Sequence, residues 1–123
     1  MLSTGFVKDP TDPQFQNDAD FREWLAWMKK YFPDGSLEDP QNAVGYAQAQ
    51  TMVQVLKQCG DDLTRENLLR QATSLKGIVP PMFVDGIGVY NSSSDYRAIH
   101  HLQLTRFDGT TLVPIGEPVL LDG

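Results

Sequence analysis

The stretch Pro40 to Gly60, PQNAVGYAQAQTMVQVLKQCG, constrains this chain more than any other. Asp39 is placed to cap the free N–H groups of a helix start, Pro40 suits the first helical position, and Gly60 suits a left-handed stop. The punctuation predicts one helix of about five turns. Tyr46, Ala49, Val53 and Leu56 recur at helical spacing with Met52, Val55 and Cys59 beside them, whereas Gln50, Gln54, Lys57 and Gln58 form a narrow polar stripe. A helix with so wide an apolar face expects cover on most of its circumference.

Around it the chain alternates structured and broken segments. Leu2 to Val7 reads as a short strand, and KDPTDP ends it, because the two prolines force extended or turn geometry on their neighbours. Asp9 and Asp12 lack the alternating oxygen ligands and central glycine of a calcium loop and read as turn caps. Asp18 or Asp20 opens a first helix whose Phe21, Trp24, Leu25, Met28 and Tyr31 make an apolar stripe, ending near Pro33. Trp27 lies off that stripe, where it either touches a partner or ligand or is buried by a second covering element. After Gly60, Thr64 is placed to cap a third helix with Leu68, Leu69, Ala72 and Leu75 on its apolar side, stopping by Lys76-Gly77.

From Gly77 the character changes. GIVPPMFVDGIGVYNSSSDY suits an irregular crossing segment with a short strand at Ile87 to Tyr90. Arg97 to Phe107 alternates as a strand, Asp108-Gly109 is a hairpin signal, and Thr111 to Ile115 returns, followed by a loose tail.

Chemistry is hard to assemble from these residues. His100 and His101 are the two histidines, and neighbours on a strand point to opposite faces, so they cannot chelate one ion. His100 shares a face with Ala98, Leu102 and Leu104 and reads as a satisfied, partly buried histidine. Ser92 to Ser94 lack a G-x-S-x-G elbow, and GIGVYN lacks the spacing of a phosphate loop. The reading is therefore a binding protein, with no enzymatic activity, no metal and no cofactor.

The 123 residues make room for one domain with a modest core, and 41% apolar with 21% charged residues is ordinary for a globular chain. A net charge of −6 without a basic cluster argues against nucleic acid and anionic membrane surfaces. The single cysteine, Cys59, reads as a buried small hydrophobe. No apolar run approaches the roughly 20 residues that span a bilayer. MLSTGFVKDP lacks the apolar core of a secretory signal, so either the signal lies upstream or the polypeptide stays in the cytosol.

NAVGYAQAQTMVQVLKQCGDDLTRENLLRQATSLKG, preceded by FVKDPTDPQ and DFREWLAWMKKYFPDG and followed by LQLTRFDGTTLVPIGE, resembles the C-terminal third of bacterial ABC-transporter substrate-binding proteins. The likeness is to the branched-chain amino acid (Leu/Ile/Val-binding) type, runs from Phe6 to Glu117, and rests on ordered blocks at preserved spacing. It implies an α/β fold, a partial type I periplasmic-binding lobe with a short N-terminal strand, three helices, an irregular crossing segment and a C-terminal β-hairpin. Residues 1–76 would be the helical part of the first lobe, 77–96 a hinge crossing, 97–116 a hairpin of the second lobe, and 117–123 a tail.

The resemblance also implies a periplasmic solute-binding role serving an ABC permease, with a small amino acid or a small organic carboxylate such as an aromatic acid as ligand. Cleft contacts from this region would come from Gln41, Asn42, Val44 and Tyr46. The family often carries an aromatic residue where this chain has Gln41 or Asn42, which favours a ligand with a hydrogen-bonding group. The principal grip on the ligand would lie in the two thirds that this chain lacks. A lobe fragment with open sheet edges and helix faces is expected to form a homodimer or larger, for instance by exchanging the hairpin. The competing readings are a sensing or protein-interaction module of the same fold, and a remnant without a ligand.

Overall fold

In a computed structural model, which describes residues 1–121, the chain opens with strand β1 (Leu2–Gly5) and a single 3-10 turn at Pro13–Phe15. Three helices follow: α1 (Ala19–Tyr31), α2 (Pro40–Cys59) and α3 (Arg65–Ala72). Then come β2 (Lys76–Ile78), β3 (Val89–Tyr90), β4 (His101–Phe107), β5 (Leu112–Pro114) and β6 (Val119–Leu120).

The helix boundaries follow their caps. The Asp39 carboxylate accepts the Gln41 N–H at 2.9 Å, Pro40 occupies the first turn, and Gly60 ends α2 at a φ of 59°. Thr64 likewise accepts the Asn67 N–H at the start of α3. Asp18 stands at the N-cap position of α1 without a side-chain capping bond, because its carboxylate is turned to Lys8, 2.9 Å away.

β4 is the central strand. β1 pairs with it antiparallel, Leu2 opposite Arg106 and Gly5 opposite Gln103, while β5 flanks its other side from Thr105 to Phe107. β6 pairs with the beginning of β4, so the stretch after Ile115, expected as a loose tail, is partly strand; residues 122 and 123 lie outside the described residues. β2 and β3 form a separate two-stranded sheet. The strand expected from Arg97 begins only at His101, since Arg97 is turned back onto Asp95 in a side-chain pair at 2.7 Å. α3 also stops earlier than expected, at Ala72, and the chain from Lys76 becomes β2.

Two apolar clusters form the core. One joins Phe21, Trp24 and Met28 of α1 to Ala43 and Tyr46 of α2 and to Met82. The other joins Ala47 and Val55 of α2 to Leu75, Phe83, Ile87 and Val89. Val7 packs against both. Some expected core positions lie in water instead. Tyr31 is exposed at the end of α1, and Leu69 on α3, where the buried position is Asn67. On α2 the contrast is larger: Met52, Val53 and Leu56 are exposed, whereas Gln50 and Gln54 are half-buried, so the expected cover over most of the helix is absent among the described residues.

Candidate functional site

Gln41, Asn42, Val44 and Tyr46 all sit in the first two turns of α2, and helical geometry sends them to different sides. Val44 shares its face with Gln48 and Thr51, four and seven residues on. These three line one wall of a mostly apolar, partly open cavity of about 220 Å³, lined on its other sides by Phe6, Leu75, Phe83, Val89 and Ile99. The cavity thus lies where α2 meets the chain entering from β1 and the irregular segment before β3. Gln41 precedes Val44 by three residues on the same side and is exposed.

Asn42 and Tyr46 fall on the opposite side, one turn apart. The Asn42 side-chain amide donates to the Ser36 carbonyl at 2.8 Å and pins the preceding loop to the helix start. Tyr46 is buried in the core against Trp27, whose ring lies 5.3 Å away, and Trp27 also meets Tyr31 at 5.7 Å. Trp27 thus packs against two aromatic neighbours while remaining partly exposed. Burial pushes the Tyr46 hydroxyl up, the Glu23 carboxylate adds to this, and the Gln50 side chain partly offsets both.

The electrostatics of the helix start decide what it can hold. An uncapped N-terminus offers N–H groups and a partial positive charge to an anion. Here Asp39 has already supplied the anion: its side chain takes the Gln41 N–H, and its carbonyl accepts the Asn42 N–H at 3.1 Å. A second carboxylate would meet Asp39 head-on. The neighbourhood offers an apolar wall and side-chain amides, which suit the body of a small molecule better than its acid group.

A larger cavity of about 310 Å³ lies beside β1, β4 and β5, bordered by Thr4, Gln103, Thr105, Leu112 and the loop from Val7 to Phe15. Its one cation is Lys8, 5% exposed, with Nζ 2.9 Å from Asp18, 3.0 Å from Asp20 and 3.3 Å from Asp85. Burial works to lower the Lys8 pKa, but the hydrogen bonds to Asp18 and Asp20 and the charges of Asp20 and Asp85 outweigh it and raise the value. Lys8 is thus committed to the chain's own carboxylates. Gln103, buried beside it, donates its amide to the carbonyls of Leu104, Ile115 and Gly116 at 2.9 to 3.3 Å and fastens the chain leaving β5.

The other residues singled out by type settle into local structure. Asp9 accepts the Thr11 N–H and hydroxyl, and Asp12 accepts the Gln14 N–H, so both cap turns as expected. His100 Nε2 lies 3.2 Å from the Tyr90 carbonyl and 3.0 Å from that of Arg97, the satisfied histidine of the sequence reading. Ser92 accepts from the Ser94 and Asp95 N–H groups within its own turn. Cys59 is buried and unpaired. No group of three or more His, Cys, Asp or Glu side chains suited to a metal ion occurs among the described residues, and none of the described helices is long and apolar enough to cross a membrane. Sequence reasoning missed Phe6, Phe83 and Ile99 as walls of the α2 cavity, since only the fold brings residues so far apart in the chain to one place.

No family model matches the chain, and no curated protein does. Among solved structures, it is similar to a branched-chain amino acid ABC transporter from Thermus thermophilus with bound valine, at a TM-score of 0.73 and 17% sequence identity. The superposition takes in 97% of this chain and 33% of that one, so the chain spans about a third of that protein's length. At this identity the likeness is one of fold: the chain has the α/β architecture of part of that structure, as the ordered sequence blocks imply.

Proposed function

We propose that the chain is part of an extracytoplasmic solute-binding protein that delivers an amino acid or a small organic carboxylate, aromatic acids included, to an ABC permease. In this reading residues 1–76 belong to the first lobe, 77–96 cross between lobes, 97–116 belong to the second lobe, 117–123 form the tail, and the complete protein works in the periplasm. The observation that carries it is the superposition of nearly the whole chain on a third of a valine-bound transport protein. The function is binding and release, with no bond made or broken.

The division of labour follows from the start of α2. Gln41, Asn42, Val44 and Tyr46 are the proposed ligand-facing segment, with Val44 and the apolar cavity behind it receiving the ligand's side chain. Gln41, on the Val44 side of the helix, supplies an amide to a polar group on that side chain, while Asn42 holds the preceding loop through Ser36 and Tyr46 backs the segment from the core. Asp39 disfavours a carboxylate here, so the ligand's acid and amino groups are held by the remainder of the two-lobe protein. The isolated chain should accordingly bind weakly, with a dissociation constant of roughly 1 mM, or about 4 kcal/mol.

Titrating the isotopically labelled chain with L-valine, L-phenylalanine and benzoate, and following its amide resonances, tests this. Saturable shifts with at least one of them, centred on Gln41 to Tyr46 and Gln48, are expected, and glucose should produce none. No shift with any of the three acids, or shifts centred elsewhere, would overturn the reading.

A further inference from the structure

Four charged or amide side chains are buried among the described residues, Lys8, Asp12, Asn67 and Gln103, and all but Asn67 border the cavity of about 310 Å³ beside β1, β4 and β5. Its walls come from β1, the loop after it, the segment before β3, β4, β5 and the stretch before β6, with Val7, Phe15, Val84 and Leu112 among the apolar ones. Burying a polar side chain is costly, and packing alone does not ask for three of them around one apolar-walled space. What each has left to offer decides the ligand.

None of the three has a proton to spare. Lys8 Nζ carries three N–H bonds and meets three carboxylates, Asp18 at 2.9 Å, Asp20 at 3.0 Å and Asp85 at 3.3 Å. Gln103 Nε2 carries two, shared among the carbonyls of Leu104, Ile115 and Gly116. Turning that amide over would set Oε1 against three carbonyl oxygens, so its orientation is fixed. Oε1 is then the polar atom that Gln103 presents to the cavity it lines, with no donor to it among the described residues. Asp12 accepts the Gln14 N–H at 3.0 Å, the Gln14 side-chain amide at 2.7 Å and the Thr111 hydroxyl. Burial works to raise its carboxyl pKa, but these bonds outweigh it, and Asp12 is an anion at neutral pH. On the Gln103 face of β4, Thr105 gives its hydroxyl proton to the Ser3 carbonyl at 3.2 Å. The buried side of the cavity therefore offers acceptors, and a buried acceptor without a donor carries a cost that a ligand's N–H relieves.

Charge completes the description. The carboxylates of Asp9, Asp12, Asp85 and Glu117 border the cavity against one cation, Lys8, which Asp18 and Asp20 also neutralise. The field inside is negative and draws a cation. The carboxylates do not gather as a metal ion needs, since no suitable group of three occurs among the described residues. An organic cation with N–H bonds and an apolar body meets the acceptor, the field and the walls together. We propose that this cavity binds the primary ammonium group of a small apolar amine, Gln103 Oε1 accepting from the ammonium, Asp12, Asp85 and Glu117 supplying countercharge, and Phe15 and Leu112 taking the apolar body. An acid group on the ligand would be repelled, so the site takes amines and leaves amino acids to the α2 cavity. This holds whether or not the solute-binding reading does.

Amide resonances of the isotopically labelled chain, followed at neutral pH while phenethylamine is added, test it. Saturable shifts centred on Gln103, Thr105 and Leu112 are expected. The quaternary trimethylammonium analogue keeps the ring and the charge but has no N–H, and it should bind about tenfold more weakly. Phenylpropionate, with an acid in place of the amine, should leave these resonances where they are. Asp85 and Glu117 are exposed, so the Asp85→Asn, Glu117→Gln double variant should keep the parent's circular dichroism and bind phenethylamine several-fold more weakly. In Gln103→Met the preference for the primary over the quaternary amine should vanish; if that variant does not fold, the parent's ranking of the three ligands and the double variant still decide. No saturable shift with phenethylamine, shifts centred on the α2 cavity, equal binding of the quaternary analogue, or binding unchanged in the double variant would each overturn the proposal.

Discussion

Met82 is the one non-glycine residue with a positive φ among those described, 69°, and it is fully buried. Its N–H donates to the Asp20 carboxylate at 2.9 Å and its carbonyl accepts the Lys8 N–H at 2.8 Å, so both backbone groups are held and the dihedral is imposed from outside. A left-handed L-residue costs roughly 1–2 kcal/mol, and burying a methionine side chain returns about 1.5–3 kcal/mol. Truncation should therefore show an unusual order. Met82→Ala keeps the strain and leaves a cavity, and a loss of about 2–5 kcal/mol is expected. Met82→Gly removes one more carbon but relieves the dihedral, so its urea midpoint should equal or exceed that of Met82→Ala. A glycine variant clearly less stable than the alanine variant would show that the backbone there is unstrained. Nothing around Met82 in sequence announces this, because the groups that impose it, Lys8 and Asp20, lie more than sixty residues earlier.

Among elements, the turn from α2 to α3 is held by a buried amide in a place where the sequence pattern offered leucine. Asn67 is 5% exposed; its Nδ2 donates to the Asp62 carbonyl at 2.7 Å and to the Cys59 carbonyl at 3.3 Å, and its Oδ1 accepts from Arg70 at 2.5 Å. It joins the Asp62 N–H, 3.2 Å away, in donating to the Cys59 carbonyl at the end of α2, and it ties the Asp62 carbonyl of the following turn to α3. Asn67→Leu should cost about 1–3 kcal/mol despite its higher apolarity, with a melting temperature lower by several degrees. A variant as stable as the parent would mean that the amide contributes only packing. The same contrast marks what was legible. The bounds of α2 were readable because Asp39, Pro40 and Gly60 are local signals whose effects do not depend on distant residues. Its orientation was not, since a helix apolar on most of its circumference does not say which part the rest of the chain will cover. The site shows the same division: the segment Gln41 to Tyr46 was placed on α2 correctly, but that Val44 would open onto a cavity while Tyr46 packs against Trp27 depended on where α1 and β1 come to rest.

For the molecule as a whole, two carboxylates near the N-terminus fasten distant parts of the chain. Asp12 accepts a hydrogen bond from the Thr111 hydroxyl, joining the loop after β1 to the hairpin of β4 and β5, and Asp20 joins α1 to Met82 and Lys8. Burial works to raise both carboxyl pKa values. For Asp12, the Thr111 hydroxyl and the Gln14 N–H and side chain outweigh it; for Asp20, the Met82 N–H and Lys8 do, so both lie below the ordinary 3.8. A carboxylate depressed in the folded state adds stability that is fully present above its unfolded pKa and is lost as pH falls through the folded value. These two groups should therefore leave stability level between neutrality and about pH 5 and withdraw it below about pH 4. Asp62, Asp95 and Asp108 are depressed as well, Asp95 to about 2, but they are exposed, and salt should screen their share. The discriminating comparison is between the parent and the Asp12→Asn, Asp20→Asn double variant, by chemical denaturation at high salt across pH 2 to 7. At pH 6 the double variant should be less stable, and the difference should shrink on acidification as the parent loses what the variant never had. A difference that stays constant to pH 2 would mean that neither carboxylate couples protonation to the joining of the chain's two ends, and that acid acts on this fold through its exposed charges alone.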